Sequence, residues 1–285
     1  EMIRALIFTD LDGTLLDDRY DLVGAAMAMD RVFELGALVV PVSSKTHAEM
    51  MLLRAQQSVA TPFVFENGAG IDWGDEKPWI SGAVDMPCGM QIEGLDYLGL
   101  CDQLKTLREK NDLDFVGFSE LSAEQVSKLT ELSLQDAHLA KQRMASEPMV
   151  GLKQAEQVLV MTQALSERGL LLQKGGRFYT ATSARQKSDA VAEIISVLQS
   201  TKTRPKRVIV CGDSPNDLSM LALGDAALVF SSRPTNGVGP ADESLDAQRE
   251  MKRHLRSTAA VSRLVDVCNA GHEAWLQAVI SELSV

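Results

Sequence analysis

The sequence predicts an α/β protein, a doubly wound parallel sheet interrupted by an inserted α+β segment. Three observations predict it. Near the start, short apolar runs alternate with helical patterns across short connections, as strand–helix–strand units with right-handed crossovers require. The next apolar run that reads as a core strand begins only at Val208. Between the two sets the alternation stops for roughly a hundred residues and hairpin signals take over, a length that suits a small second domain. The core is therefore expected over residues 1–83 and 184–285, and the insert over 84–183.

The chain of 285 residues is 45% hydrophobic and 24% charged, the balance of a globular protein with a sizeable core. Its net charge of −11 argues against a nucleic-acid-binding surface. Any anionic small molecule must be met by basic residues gathered locally. Cys88, Cys101, Cys211 and Cys268 form no C-x-x-C pair, which reads as reduced thiols in a cytoplasmic protein. No leader-like segment precedes the first strand, and no apolar run approaches membrane-spanning length. The sequence leaves the oligomeric state open.

Residues 3–9 form the first strand, a run rich in Ile, Leu and Phe. It ends on Asp10-Leu11-Asp12-Gly13-Thr14. Residues i and i+2 of a strand share a side, so Asp10 projects from the strand tip and Asp12 sits beside it in the turn. Gly13 permits the bend that lets a ligand come close. Two such carboxylates repel unless a cation lies between them, and Mg²⁺ suits all-oxygen ligands. A plain polar turn would look the same locally.

Residues 22–35 show helical spacing up to Gly36, and residues 37–42 are a second strand. That strand runs into Ser43-Ser44-Lys45-Thr46 and a helix over 46–57. Hydroxyls and first-turn N–H groups there suit an oxyanion, although Ser and Thr also cap helices. Residues 62–65 are a third strand, followed by the turn Glu66-Asn67-Gly68 and a hairpin return at Ile71-Asp72-Trp73.

The insert reads as a helix over 99–110, a strand over 113–118 and a capping-box helix start at Ser122. A helix follows from Ser133 through Arg143, ended by Glu147-Pro148. A long amphipathic helix then spans 153–168, closed by Gly169. Residues 170–173 and 177–182 form a hairpin around Gly175-Gly176. The core resumes with a helix over 188–198, preceded by two cations, Arg185 and Lys187. The strand from Val208 ends in Gly212-Asp213-Ser214-Pro215-Asn216-Asp217. A helix then runs to Gly224 and a strand over 226–230. Residues 231–249 read as loop, and helices are expected over 249–256, 259–268 and 273–283.

Asp-x-Asp-Gly-Thr and Gly-Asp-x-x-Asn-Asp, each after an apolar strand, resemble the motifs of the haloacid dehalogenase superfamily of phosphohydrolases. The resemblance implies a Rossmann-like core with Asp10 as nucleophile and Asp12 as acid–base. Ser43 would bind a phosphoryl oxygen, and Lys187, with Arg185 as the alternative, would neutralise nucleophile and phosphate. It further implies one Mg²⁺ held by Asp10, Asp213 and the Asp12 backbone carbonyl, with Asn216 and Asp217 as outer groups. The insert, lying between the second and third motifs, resembles a C2-type cap of the Cof-like branch.

Pro41-Val42-Ser43-Ser44-Lys45-Thr46, Leu139-Ala140-Lys141-Gln142-Arg143 with Glu147-Pro148, and Gly175-Gly176-Arg177-Phe178 resemble signatures of the mannosyl-3-phosphoglycerate phosphatases. That likeness implies a phosphorylated glycoside as substrate, contacted by Ser44, Gln142, Arg143, Gly176 and Arg177. On spacing alone Arg143 reads rather as a surface cation paired with Glu147, and only the resemblance reverses that reading. Rival readings are a glucosyl-3-phosphoglycerate or other sugar-phosphate phosphatase, a phosphomutase, or a non-catalytic metabolite-binding module. Gly271-His272-Glu273-Ala274-Trp275 loosely resembles the family's carboxyl-terminal region, and Trp275 is expected only to pack.

Overall fold

The computed structural model describes residues 3–75, 86–175, 178–201, 205–231 and 242–285. The chain begins with β1 (Ala5–Thr9), α1 (Leu22–Glu34), β2 (Ala37–Pro41), α2 (His47–Arg54), β3 (Phe63–Phe65) and β4 (Gly70–Asp72). The middle contains β5 (Met90–Ile92), α3 (Tyr97–Lys110), β6 (Val116–Gly117), α4 (Ala123–Thr130), α5 (Leu134–Ala140), β7 (Ser146–Val150), α6 (Ala155–Ser166), β8 (Leu170–Lys174) and β9 (Tyr179–Ser183). The last third contains α7 (Lys187–Gln199), β10 (Val208–Gly212), α8 (Leu218–Leu221), β11 (Ala226–Phe230), α9 (Asp242–Ser257), β12 (Arg263–Val267) and α10 (His272–Leu283).

The main sheet has the order β12-β11-β10-β1-β2, and every pair in it is parallel. Strand order reverses between β1 and β10, which makes their carboxyl ends the topological switch point, where open α/β sheets bind ligands. β1 is buried on both faces, as a central parallel strand must be. Ala5 and Ile7 pack with α1, α2 and α10 through Met29, Val32, Met50 and Trp275. Leu6 and Phe8 pack with α7, α8 and α9 through Val191, Ile194, Met220 and Leu255.

The insert carries a separate antiparallel sheet of order β6-β7-β9-β8. Leu100 and Leu104 of α3, Met161 and Leu165 of α6, and Met149 and Ala181 of the sheet form its main apolar cluster. Val126 of α4 and Ala137 of α5 form a smaller one with Phe118. The expected architecture, a parallel core plus an α+β insert, is the one observed.

Three expected elements differ. Residues 259–268 were expected to be helical, but Arg263–Val267 is an edge strand parallel to β11. Val265 and Val267 pack into one core cluster and Leu264 into the other, so the β-branched run serves a sheet buried on both faces. Glu147-Pro148 does not end a helix: α5 stops at Ala140, and both residues lie within β7. Pro148 is tolerated because β6 is short and pairs only with Met149 and Val150. Part of the expected 231–249 loop is helix, since α9 starts at Asp242. The expected boundary near 83 falls outside the described residues.

Candidate active site

β1 and β10 run side by side, with Thr9 opposite Cys211, so the residues that follow each strand emerge together. The Asp10 N–H donates to the Cys211 carbonyl at 3.0 Å, which brings Asp10 next to Gly212-Asp213. Gly13 has φ +75°, and a Cβ there would lie 2.5 Å from Asp213 Oδ2. Only glycine lets the Asp12-Gly13 turn close against Asp213.

The Lys187 ammonium, at the first position of α7, donates to Asp10 Oδ1 at 2.9 Å and to Asp217 Oδ1 at 2.8 Å. Arg185 pairs instead with Glu93 and Glu193, so of the two candidate cations Lys187 is the one beside Asp10. Burial works to lower the Lys187 pKa, but the carboxylates of Asp10 and Asp217 outweigh it and hold it above the usual lysine value.

Carboxylate oxygens of Asp10, Asp213 and Asp217 lie within 4.8 Å of one another. Burial first, then the neighbouring acids, push Asp10 up to about 7 against the pull of Lys187. Burial and the Asp10 charge push Asp213 up to about 8. One lysine does not neutralise three crowded acids, and an oxygen-only cluster of this kind fits a hard divalent cation such as Mg²⁺. Asp217 is fully buried and already engaged, since its Oδ2 accepts from the N–H groups of Asp213 and Ser214 at 3.2 and 3.4 Å. That leaves Asp10 and Asp213 as the carboxylates best placed to take the ion.

The Asp12 side chain lies outside this cluster. It faces Lys45 and Tyr20: Tyr20 Oη donates to Asp12 Oδ1 at 2.5 Å, and Lys45 Nζ is 3.2 Å from Asp12 Oδ2. Lys45 Nζ also donates to Tyr20 Oη.

Ser43 follows β2 and is fully buried. Its N–H donates to the Val64 carbonyl, and its Oγ accepts from the Lys45 N–H at 3.2 Å. Ser44 is exposed, and its carbonyl accepts from Arg143 Nη2 at 2.9 Å.

Arg143 is not on a helix. It sits in the turn between α5 and β7, with its Nε and Nη2 donating to Ser146 Oγ at 3.1 and 2.9 Å. Its Nε is 3.8 Å from Glu66 Oε2. Glu147 is bonded to Tyr97 and the Ser119 N–H, so the surface pair of Arg143 with Glu147 does not form. Gln142 lies in the same turn, exposed. Asn216 is exposed and donates to the Lys174 carbonyl at 2.7 Å, joining the Asp213 loop to the end of β8. Gly176 and Arg177 fall outside the described residues.

Sequence reasoning missed Tyr20 and the importance of Lys45 and Glu66. Tyr20 carries no local signal in its polar loop. Lys45 was visible only as part of the Ser43–Thr46 stretch, and Glu66 only as part of a turn. Trp275 packs as expected, and it also donates from Nε1 to Thr9 Oγ1 at 3.0 Å. Thr9 Oγ1 in turn donates to the Asp10 carbonyl at 2.8 Å.

No protein-family model matches the chain. Solved structures do, over nearly its full length. A haloacid dehalogenase-like hydrolase from B. subtilis is 16% identical, with a TM-score of 0.62 and coverage of 98% of each chain. A phosphatase of the haloalkanoate superfamily from Bacteroides thetaiotaomicron is 14% identical, with a TM-score of 0.61 over 99% of this chain and 96% of that one. A sugar phosphatase of subclass IIB in the same superfamily is 14% identical, with a TM-score of 0.58 over 98% and 99%. The chain has the fold of the haloacid dehalogenase-like hydrolases, core and insert together.

Proposed function

We propose that the protein is a Mg²⁺-dependent phosphatase that hydrolyses a phosphorylated glycoside through an aspartyl-phosphate. The single observation that carries this reading is the group at the switch point: Asp10 held by Lys187, with Asp213 alongside and the Asp12 carboxylate turned away from them. Bound between Asp10 and Asp213, Mg²⁺ would offset the charge of nucleophile and phosphate and polarise the phosphoryl group.

The chain's own residues do the rest. Lys187 favours the ionised form of Asp10 and aligns it, and Asp217 holds Lys187. Asp10 attacks phosphorus, the bond to the ester oxygen breaks, and a proton passes from the Asp12 carboxyl to the leaving oxygen. Water then attacks the acyl-phosphate and gives its proton to Asp12, which restores Asp10. The Ser43 hydroxyl and the first-turn N–H groups of α2 hold phosphoryl oxygens.

For the substrate we propose mannosyl-3-phosphoglycerate, with mannosylglycerate as product. The support is the likeness of the Ser43–Thr46, Gln142–Arg143 and Gly175–Phe178 stretches to signatures of that phosphatase family. The insert acts as the cap that reads the glycoside, through Gln142, Arg143, Gly176 and Arg177, together with Ser44 of the core. Phosphate release from mannosyl-3-phosphoglycerate, glucosyl-3-phosphoglycerate and simple hexose phosphates, with Mg²⁺ and with excess chelator, tests the proposal. Turnover that survives chelation would sink the metal, and a preference for a hexose monophosphate would sink the substrate. Asp12→Asn is expected to slow turnover strongly while a phospho-enzyme accumulates, detectable by intact mass.

A further inference from the structure

Asp12 approaches the leaving oxygen only if its carboxylate is held in one direction, and two residues from separate loops hold it. Tyr20 comes from the loop between β1 and α1, Lys45 from the junction of β2 and α2. Tyr20 Oη donates to Asp12 Oδ1 at 2.5 Å, and Lys45 Nζ stands 3.2 Å from Asp12 Oδ2. Each carboxylate oxygen therefore has its own partner.

The two partners also bind each other. Lys45 Nζ donates to Tyr20 Oη and lies 4.5 Å from the centroid of the Tyr20 ring. Tyr20 adopts φ +56°, a left-handed conformation that a bulky residue holds only when its surroundings impose it. The Lys45 side chain is 11% exposed, and its remaining carboxylate neighbour is Glu49 at 3.9 Å. The Lys45 N–H meanwhile donates to Ser43 Oγ. One residue thus joins the hydroxyl proposed for the phosphoryl group to the proposed acid–base.

Resting on the phosphatase reading above, we infer that Tyr20 and Lys45 are positioning residues that aim the Asp12 carboxyl at the departing ester oxygen. Their effect is confined to proton delivery. A basic alkoxide needs the proton as the P–O bond breaks, whereas nitrophenolate leaves without it. Both kinds of ester converge on the same aspartyl-phosphate, whose hydrolysis enters kcat for each alike, so the ratio of their kcat/KM values reports the first step alone.

The test compares glycerol phosphate, an alkyl ester, with p-nitrophenyl phosphate in the full-length protein with Mg²⁺. Tyr20→Phe removes one hydroxyl and nothing else. It is expected to lower kcat/KM for the alkyl ester roughly ten- to a hundredfold, less than the ~10²–10⁴-fold that a general acid contributes as a whole, because Asp12 itself remains. For the nitrophenyl ester kcat/KM should fall far less. Lys45→Met should act the same way, with Lys45→Arg recovering most of the alkyl-ester rate.

Equal losses on both esters would overturn the inference, since they would mark a phosphate-binding or structural role. So would no loss of kcat/KM on either. Tyr20→Phe carries the test even if Lys45→Met fails to fold. Wild type inert toward both esters would overturn the phosphatase reading and the aiming role with it, whereas an active wild type with an unchanged ratio in the variants overturns only the aiming role.

Discussion

At the scale of single residues, the proposed chemistry and the stability both turn on the charge balance around Asp10. Asp10→Asn keeps the shape of the side chain and removes its charge and nucleophilicity. Turnover is expected to vanish, and the far-ultraviolet circular dichroism spectrum to match wild type. Retained phosphatase activity would exclude Asp10 as the nucleophile.

The raised acids make a second prediction, about pH. Asp10 lies at about 7 and Asp213 at about 8, against a value of 3.8 for an unperturbed Asp. Between these limits the folded, metal-free protein keeps protons that the unfolded chain has released. Its stability from these groups is therefore highest at the low end of the window and is lost as pH rises to about 8. A cation bound among the carboxylates relieves that loss. Mg²⁺ should therefore raise Tm clearly more at pH 8 than at pH 5 in thermal unfolding, and an equal rise at both would contradict it. Lys187→Met leaves Asp10 and Asp217 facing each other without a counter-charge. It should destabilise the metal-free protein by ~3–5 kcal/mol, again more at pH 8 than at pH 5.

At the scale of elements, the turn between β3 and β4 sets where α7 begins. Gly68 has φ +102°, and a Cβ there would lie 2.2 Å from the Gln186 carbonyl oxygen and 2.7 Å from the Lys187 N–H nitrogen. Backbone occupies the space that a side chain would need, so the turn and the first residue of α7 fit only with glycine. Gly68→Ala is expected to cost about 1–3 kcal/mol from the left-handed conformation alone. It should also lower kcat by moving Lys187 away from Asp10. Tm and kcat measured together check it, and a loss of Tm with kcat intact would show that α7 absorbs the shift elsewhere.

This element also shows the reach of the sequence. Asp10, Ser43 and Asp213 were legible because each directly follows an apolar strand, and strand ends of a parallel sheet share one edge. Lys187 was legible by motif and uncertain by spacing, because nothing local distinguishes it from Arg185. The Gly68 contact was not legible, since it joins residues far apart in the chain. The strand at Arg263–Val267 was misread as helix because an edge strand alternating between two core faces carries no simple period of two. Pro148 misled for a related reason: whether a proline breaks a strand depends on the length of its neighbour.

At the scale of the whole molecule, one core carboxylate fastens the insert to the core beside the Ser43–Thr46 stretch. Glu66, fully buried, accepts from the N–H groups of Met144 and Ala145 at 2.8 and 2.9 Å and from Ser146 Oγ at 2.6 Å. Arg143 stands 3.8 Å from the same carboxylate and donates to the Ser44 carbonyl. Thr46 Oγ1 adds a bond to the Leu139 carbonyl at 2.9 Å. Glu66 itself has φ +48°, a conformation that these bonds help to sustain.

The expected consequence is that Glu66 and Arg143 act as a unit on substrates that need the insert. Glu66→Gln leaves one acceptor oxygen where two accepted before and turns an NH₂ toward donors. A hydrogen bond to a charged group contributes about 1.5–3 kcal/mol, so kcat/KM for a phosphorylated glycoside should fall roughly ten- to a hundredfold. Hydrolysis of p-nitrophenyl phosphate should fall much less, because a small ester makes little use of the insert. Arg143→Ala should resemble Glu66→Gln, and the double variant should be clearly less damaging than the two losses multiplied. If Glu66→Gln is silent while Arg143→Ala harms only substrates that carry a carboxylate, the guanidinium recognises the substrate directly and fastening the insert is incidental to it.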